Sequence, residues 1–296
     1  MNWEKVNIHC SSIYNIMARV KTNMDLWRDA CEELIRKEQQ WDALKKKDGV
    51  RGVQIEEAIE KLKVYIPILE AGKDLEEPLS TGCKTHLSGV YATEKYHKWN
   101  PSKDIGSIVT EKGKECEPLG LELANKIYGL SLVRNKDRID NEWFSGHMDA
   151  FEVGEINVVH DIKCPGNIES FFSYINKDLS PVYYWQMQGY MDLTGANVAK
   201  VHFCLVNSPE HQIKSASEAL LRRMDVVSEY SPEFVQAQAQ LVANLTYDDI
   251  PEPERIFTFT VERNEEDIQK ARRKVEKCRE YLKEFEMLHL GTKNTM

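Results

Sequence analysis

Hydrophobic positions recur along the chain with two periods, one helical and one alternating, and the changes of period divide it into elements. Residues 24–72 read as a helical hairpin. Trp27, Ala30, Leu34, Trp41 and Leu44 form one apolar stripe, Ile55, Ala58, Leu62, Tyr65 and Leu69 a second, and Lys47-Asp48-Gly49 supplies the turn. Leu119 to Tyr128 is a helical run stopped by Gly129, with Pro118 in its first turn and Glu115 and Glu117 beside it, where acids complement the helix dipole. Two short segments follow, Trp143 to Ala150 and Glu155 to Lys163. The second is rich in Ile and Val and bounded by Gly154 and by Cys164-Pro165-Gly166, so the pair reads as two adjacent strands of a hairpin. Tyr183 to Met191 has helical length after Pro181 and leads into the apolar strand Ala199 to Val206. Residues 209–253 are mostly amphipathic helix, with Asp248 to Glu254 as a Pro-broken return to a strand at Ile256 to Glu262. The last helix, from Glu265, spaces Ile268, Ala271, Val275, Cys278, Leu282 and Phe285 alternately three and four apart, a stripe suited to packing within the chain or against a second subunit.

This order predicts a mixed α/β (α+β) domain over residues 1–296, with a central mixed sheet of about five strands flanked by helices. The stretches 24–72 and 209–253 are additions to that core. With 296 residues, 42% of them hydrophobic, the chain can bury one sizeable core. It has no apolar run of membrane-spanning length and no signal-peptide pattern at Met1-Asn2-Trp3-Glu4. Cysteines at 10, 31, 83, 116, 164, 204 and 278 form no close pairs, which argues against a zinc ribbon or disulfide framework and fits a reducing cytoplasm.

The candidate chemistry lies in Ser145-Gly146-His147-Met148-Asp149 and Asp161-Ile162-Lys163. Alternation along a strand puts Asp161 and Lys163 on one face and Ile162 on the other, and the hairpin brings Asp149 to the same place. Two carboxylates beside one ammonium suit a hard divalent cation and phosphodiester chemistry. In a chain with 29% charged residues an acid-x-Lys triplet is ordinarily a solvated strand face, but Lys163 is flanked by Ile162 and the Cys164-Pro165 break rather than by more charge. A possible third carboxylate lies in Gly113 to Pro118, at Glu115 or Glu117. Gln186 and Tyr190, four apart, share a helical face suited to hydrogen bonding along a sugar-phosphate backbone. His147 and His160 flank the aspartates yet point away from a shared centre, so a histidine-based metal site is not expected.

A helix with Gly-Lys-x-x-Glu (Gly113 to Glu117), then Gly-x-x-Asp ending at Asp149, then Asp-x-Lys-Cys-Pro (Asp161 to Pro165), then Gln-x-Gln (Gln186 to Gln188) resembles the PD-(D/E)XK nuclease superfamily, and within it the lambda-exonuclease type of phage recombination nuclease. Ile8 to Met17 is similar to the family's first helix, and the strand from Ile256 and helix from Glu265 to its closing elements. The resemblance implies a restriction-endonuclease-like core and Mg²⁺ as cofactor, with Mn²⁺ as a substitute. The metal would be held by Glu117, Asp149, Asp161 and the backbone carbonyl of Ile162. Lys163 would orient or activate the attacking water, and Glu117, Asp149, Asp161 and Lys163 together would be the catalytic set. It further implies DNA contacts from Ser11, Lys84, Gln188 and Tyr190, with Gln186 holding either the active-site elements or the DNA strand. Two departures stand out: Asp161 occupies a position where the family more often has Glu, and its amino-terminal phosphate-binding arginine has no clear counterpart, with Lys5 and Lys84 the nearest cations.

The expected activity is Mg²⁺-dependent exonucleolytic degradation of one strand of linear duplex DNA, 5′ to 3′ by resemblance, making single strands for recombination. The partners expected are duplex DNA ends, a single-strand-annealing protein and, by resemblance, further copies of the chain in a trimeric ring; the setting is the cytoplasm, that of the host if the chain is phage-encoded. A structure-specific or restriction-like endonuclease and a non-catalytic DNA-end or protein-binding module are the alternatives. Composition does not advertise DNA binding: 39 basic against 48 acidic residues leave a formal charge of −9. Positive charge is local, at Lys45-Lys46-Lys47, Arg222-Arg223 and along Lys270 to Lys277, each read as a solvated helix surface.

Overall fold

The computed structural model describes residues 2–18, 23–44, 49–72, 78–101, 108–152, 154 and 157–291. The expected turn at Lys47-Asp48 and the Lys45-Lys46-Lys47 cluster lie outside these residues. The chain divides into two compact units, one of Met1–Met17 with His86–Met296 and one of Ala18–Thr85.

The smaller unit is built on helices α2 (Asn23–Asp42) and α3 (Val50–Gly72), which pack on each other. Ala30, Ile55, Ile59, Leu69 and Cys83 are among its buried positions. Tyr65, assigned to the apolar stripe from sequence, is 45% exposed. Ile66, one position on, takes the inward place, because the 3.6-residue period carries the buried face from Leu62 to Ile66 and Leu69.

The larger unit holds a five-stranded mixed sheet in the order β2 (Leu132–Arg134), β5 (Ala150–Glu152), β6 (Val158–Lys163), β7 (Val198–Cys204), β8 (Ile256–Glu262). β6 and β7 run parallel and the other neighbours antiparallel. The parallel pair is joined through helices α6 (Ile168–Ile175) and α7 (Pro181–Thr194). Both central strands are buried along most of their length, as a sheet covered on both faces requires. A second, three-stranded sheet sets β4 (Phe144–Gly146) between β1 (Ile8–His9) and β3 (Ile139–Asp140). The segment Trp143 to Ala150 is therefore not one strand of a hairpin. It splits between two sheets, and Asp149 lies at the crossing, just before β5.

Helix α5 (Ile108–Tyr128) covers one face of the large sheet, burying Cys116, Leu123 and Ala124 against Ile162, Cys164 and Cys204. Pro118 is inside this helix rather than in its first turn. It removes one amide donor, a loss that ordinarily kinks or ends a helix, but the burial of Cys116 on one side and Leu123-Ala124 on the other carries α5 through it. Gly120 makes that packing possible: a Cβ there would meet Ile162 Cγ2 at 2.7 Å and Cys164 Sγ at 3.0 Å.

Helices α1 (Ile13–Met17) and α10 (Glu265–Gly291) pack with α7. The stripe Ile268, Ala271, Val275, Cys278 and Leu282 is buried within the chain itself, not on an open face. Helices α8 (Glu210–Met224) and α9 (Pro232–Leu245) pair with each other between β7 and β8. α4 (Thr81–Tyr96) completes the set. No described helix is long and apolar enough to cross a membrane.

Candidate active site

Strand β6 organises the site by its alternation. Ile162 points into the apolar cluster under α5, while Asp161 and Lys163 point the other way, toward α7. Asp161 is fully buried, and its Oδ2 lies 2.5 Å from Lys163 Nζ. Lys163 Nζ is 3.9 Å from Asp149 Oδ2 and 5.4 Å from the centre of the Tyr183 ring on α7. Pairing of β5 with β6 ends at Ala150↔His160, and the Asp149 side chain takes over beyond it: its Oδ2 accepts the Ile162 amide at 2.8 Å. The two aspartates and the lysine expected to converge therefore do so.

Glu117 approaches from α5. Its carboxylate is held by Arg134 of β2 at 3.3 Å and senses Lys163, Asp161 and His147. Arg134 was not anticipated; its place follows from the register Arg134↔Ala150, which sets it beside Asp149, and a sequence reading that had paired β2 with β5 would have found it.

Burial dominates the electrostatics. It raises the carboxyl of Asp161, an effect the Lys163 ammonium opposes and the neighbouring Asp149 reinforces. Asp149 is raised for the same first reason, with Lys163 opposing and Glu117 adding. Glu117 too is raised by burial, against the pull of Arg134 and Lys163. At Lys163 burial works against the charge, but Asp161 and Asp149 outweigh it and hold the ammonium protonated. Three carboxylates around one half-buried lysine leave a surplus of negative charge in a largely desolvated place, which a cation would offset.

The donor chemistry fits a hard divalent ion: the set is all oxygen, and Asp161 Oδ1 is buried with no hydrogen-bond partner among the described residues. The side chains are not yet gathered around such an ion. Lys163 and Arg134 hold the carboxylates, and no three His, Cys, Asp or Glu side chains among the described residues stand as a metal cage. His160 is turned to the opposite face, where its Nδ1 meets His202 Nε2 at 2.9 Å, so it takes no part in the carboxylate site.

The residues expected to touch DNA divide three ways. Gln186 and Tyr190 do share a face, but they use it within the protein: Gln186 Nε2 donates to Tyr190 Oη at 3.1 Å, and Tyr190 Oη donates to the His147 carbonyl at 2.8 Å. Tyr190 is buried, so it holds the segment leading to Asp149 rather than meeting solvent. Gln188 is also buried, and both ends of its amide are spent: Nε2 donates to the Glu262 carbonyl at 2.8 Å, and Oε1 accepts the Asn264 amide at 2.9 Å. It clamps the turn from β8 into α10, which corrects the expectation of a DNA contact. Ser11, in the 3₁₀ turn Cys10–Ser12, is exposed, with its hydroxyl 2.8 Å from His9 Nδ1. That turn lies against α7, where a Cβ on Gly189 would meet Ile13 Cδ1 at 2.4 Å and Cys10 Sγ at 2.9 Å. Lys84 belongs to the smaller unit, in the first turn of α4.

No family model and no curated protein sequence matches the chain significantly. Among solved structures it is similar to a phage-related exonuclease from Haemophilus somnus 129PT, at 21% identity and a TM-score of 0.58 over 95% of each chain. It is also similar to an alkaline exonuclease from Laribacter hongkongensis, at 16% identity and a TM-score of 0.50 over 74% of this chain and 88% of that one. The complex of that alkaline exonuclease with dAMP gives the same score over 73% and 86%. The chain thus shares its fold with these exonucleases.

Proposed function

We propose that the protein is a metal-dependent deoxyribonuclease that removes nucleotides from an end of linear duplex DNA. The observation that carries this reading is the meeting of Asp149, Asp161 and Lys163 at the point where β5 and β6 part, on a fold shared with two exonucleases. Glu117, Asp149, Asp161 and the Ile162 carbonyl would hold Mg²⁺, with Mn²⁺ as a substitute. Such an ion supplies a low-pKa water and neutralises charge on the phosphate. The Lys163 ammonium, fixed between two carboxylates and kept protonated by them, donates hydrogen bonds to the attacking water or a phosphate oxygen and offsets charge as the phosphorus becomes five-coordinate. Hydrolysis adds the water oxygen to phosphorus, breaks the bond to the leaving sugar oxygen and returns a proton to it. Gln186 and Tyr190 keep the chain before Asp149 in place while this happens.

Removal from an end is favoured over internal cutting because the similar alkaline exonuclease binds dAMP, and a nucleoside monophosphate is what stepwise hydrolysis from an end releases. Degradation of the 5′-ended strand, a supply of single strands to an annealing protein and a trimeric ring belong to the same reading. The test is linear duplex DNA labelled at either the 5′ or the 3′ end, incubated with Mg²⁺ or with chelator, beside a covalently closed circle. Mononucleotide release from linear DNA only, lost with chelator and in Lys163→Met, is the expected result. Cutting of the closed circle would replace it with the endonuclease reading, and no cleavage of any substrate by the wild-type protein with the non-catalytic one.

A further inference from the structure

A second feature of the larger unit is a cleft of about 690 Å³ between the three-stranded sheet and the end of α4. Asn7, His9 and Ser145 line its floor, and Lys98, Trp99 and Arg138 stand at its rim. Of these, His9 belongs to the segment Ile8 to Met17 and Ser145 to the segment before Asp149, and the other four lie outside every motif.

The rim is built by a backbone feature. α4 ends with His97 in the left-handed region, at φ 54°. The His97 amide bonds the Thr93 carbonyl at 3.0 Å and the Lys98 amide the Ala92 carbonyl at 3.3 Å, the pattern that closes a helix and turns the chain back on itself. Glycine normally occupies that position, because a side chain there is strained. Here the reversal brings the backbone of Lys98 back to the last turn of α4, where the Thr93 hydroxyl secures it by donating to the Lys98 carbonyl at 3.3 Å.

What the rim presents is specific. Trp99 is 64% exposed, a costly position for a large apolar ring unless something lies on it. Among the described residues the side-chain cations of Lys98 and Arg138 make no hydrogen bond or ion pair, and Glu94 is the one acidic residue that lines the cleft. A chain of net charge −9 thus opens two unpaired cations and an indole face onto one cleft. Ser145 in the cleft lining lies on β4, four residues before Asp149.

We propose that this cleft binds single-stranded DNA, stacking an unpaired base on Trp99 and holding the flanking phosphates with Lys98 and Arg138. The interior of a duplex does not fit the description, because each base there has both faces covered by its neighbours, whereas a single strand can turn the face of any base to an exposed indole. The proposal extends the nuclease reading by giving the unpaired strand a place beside the site, yet it is testable without turnover.

The experiment measures binding of a fluorescent oligothymidylate and of a blunt duplex of equal length by anisotropy, in chelator, with the full-length chain. Wild type should bind the single strand with quenching of tryptophan emission. Trp99→Ala should weaken that binding by about tenfold or more while leaving duplex binding and the thermal midpoint unchanged. Trp99→Phe should keep most of the affinity but lose much of the quenching. Arg138→Gln should flatten the dependence of log affinity on log salt by about 0.7. Absence of single-strand binding by wild type, a Trp99→Ala protein that binds it as wild type does, or an equal loss for single strand and duplex would each overturn the proposal. None of these outcomes bears on cleavage, and failure of the nuclease reading would show in the end-labelled assay alone.

Discussion

The carboxylate of Asp149 accepts the backbone amide of Ile162 at 2.8 Å, tying the loop before β5 to the strand that carries Asp161 and Lys163. One side chain thus serves both as a charge in the site and as a rung that extends the sheet beyond Ala150↔His160. Two substitutions separate these roles. Asp149→Asn keeps an acceptor for the Ile162 amide and should fold with nearly wild-type stability, yet lose at least about a hundredfold in nucleotide release with the charge. Asp149→Ala leaves that amide without its partner and should lose a further 1–3 kcal/mol, about, in urea unfolding. Turnover by Asp149→Asn at the wild-type rate would remove Asp149 from the catalytic set.

Tyr190 and Gln186 are expected to act by position. The Tyr190 hydroxyl joins the Gln186 amide to the His147 carbonyl, and Tyr190→Phe strands both, at about 1 kcal/mol of stability. Because the released carbonyl lies two residues before Asp149, kcat should fall by about tenfold while KM for DNA stays within error. A rise in KM with kcat intact would instead mean that this face meets the substrate.

How much of this was legible in the sequence depended on the range of the interaction. Asp161 and Lys163 could be placed on one face from strand alternation alone, and the buried stripe of α10 from its spacing. Glu117 was found through the order of motifs, but its helix was begun too late, because Pro118 looks like a first-turn residue and only the packing of Cys116 and Leu123 on the sheet shows otherwise. Gln188 was given to DNA because its partners, Glu262 and Asn264, lie 74 and 76 residues away and leave no local trace. Arg134 was missed for the same reason: its contact with Glu117 depends on a strand pairing that composition does not reveal.

Two glycines on α5 should respond in opposite directions. Gly113 has room for a methyl group, with the Cys164 carbonyl oxygen the nearest atom at 3.9 Å, so Gly113→Ala should gain about 0.5–1 kcal/mol from helix propensity. Gly120 has none, because Ile162 Cγ2 would be 2.7 Å from the new atom and Cys204 Cβ 3.2 Å. There overpacking of about 1–3 kcal/mol outweighs the same propensity gain, and Gly120→Ala should be destabilised. The displaced helix carries Glu117, so cleavage should fall as well. Denaturant midpoints of the two variants check the signs, and a stabilised Gly120→Ala would mean that α5 does not lie this closely on β6.

Behind the site, His160 and His202 stack at 5.2 Å and share a hydrogen bond, and His202 continues to Thr258 at 2.8 Å and through it to Tyr128 at 3.2 Å. Burial, first of all, pushes their imidazoles down from 6.5 to about 4 and about 3. A depressed folded-state pKa means that the unfolded chain takes up these protons first. The contribution of the pair to stability is therefore whole above pH 6.5 and is lost as the pH falls toward 4. Asp149 and Asp161 slope the other way in the same range, because their folded-state values are raised, so wild type alone would mix the two effects. The comparison needed is with the double variant His160→Phe, His202→Phe, which keeps two stacked rings and leaves the hydroxyl of Thr258 paired with Tyr128. Between pH 6.5 and 5 the stability difference between wild type and this variant should move against wild type by about 2 kcal/mol for each imidazole. Urea unfolding at half-unit steps of pH measures it, and curves that run parallel through this range would mean that both histidines titrate as freely in the folded protein as in the unfolded chain.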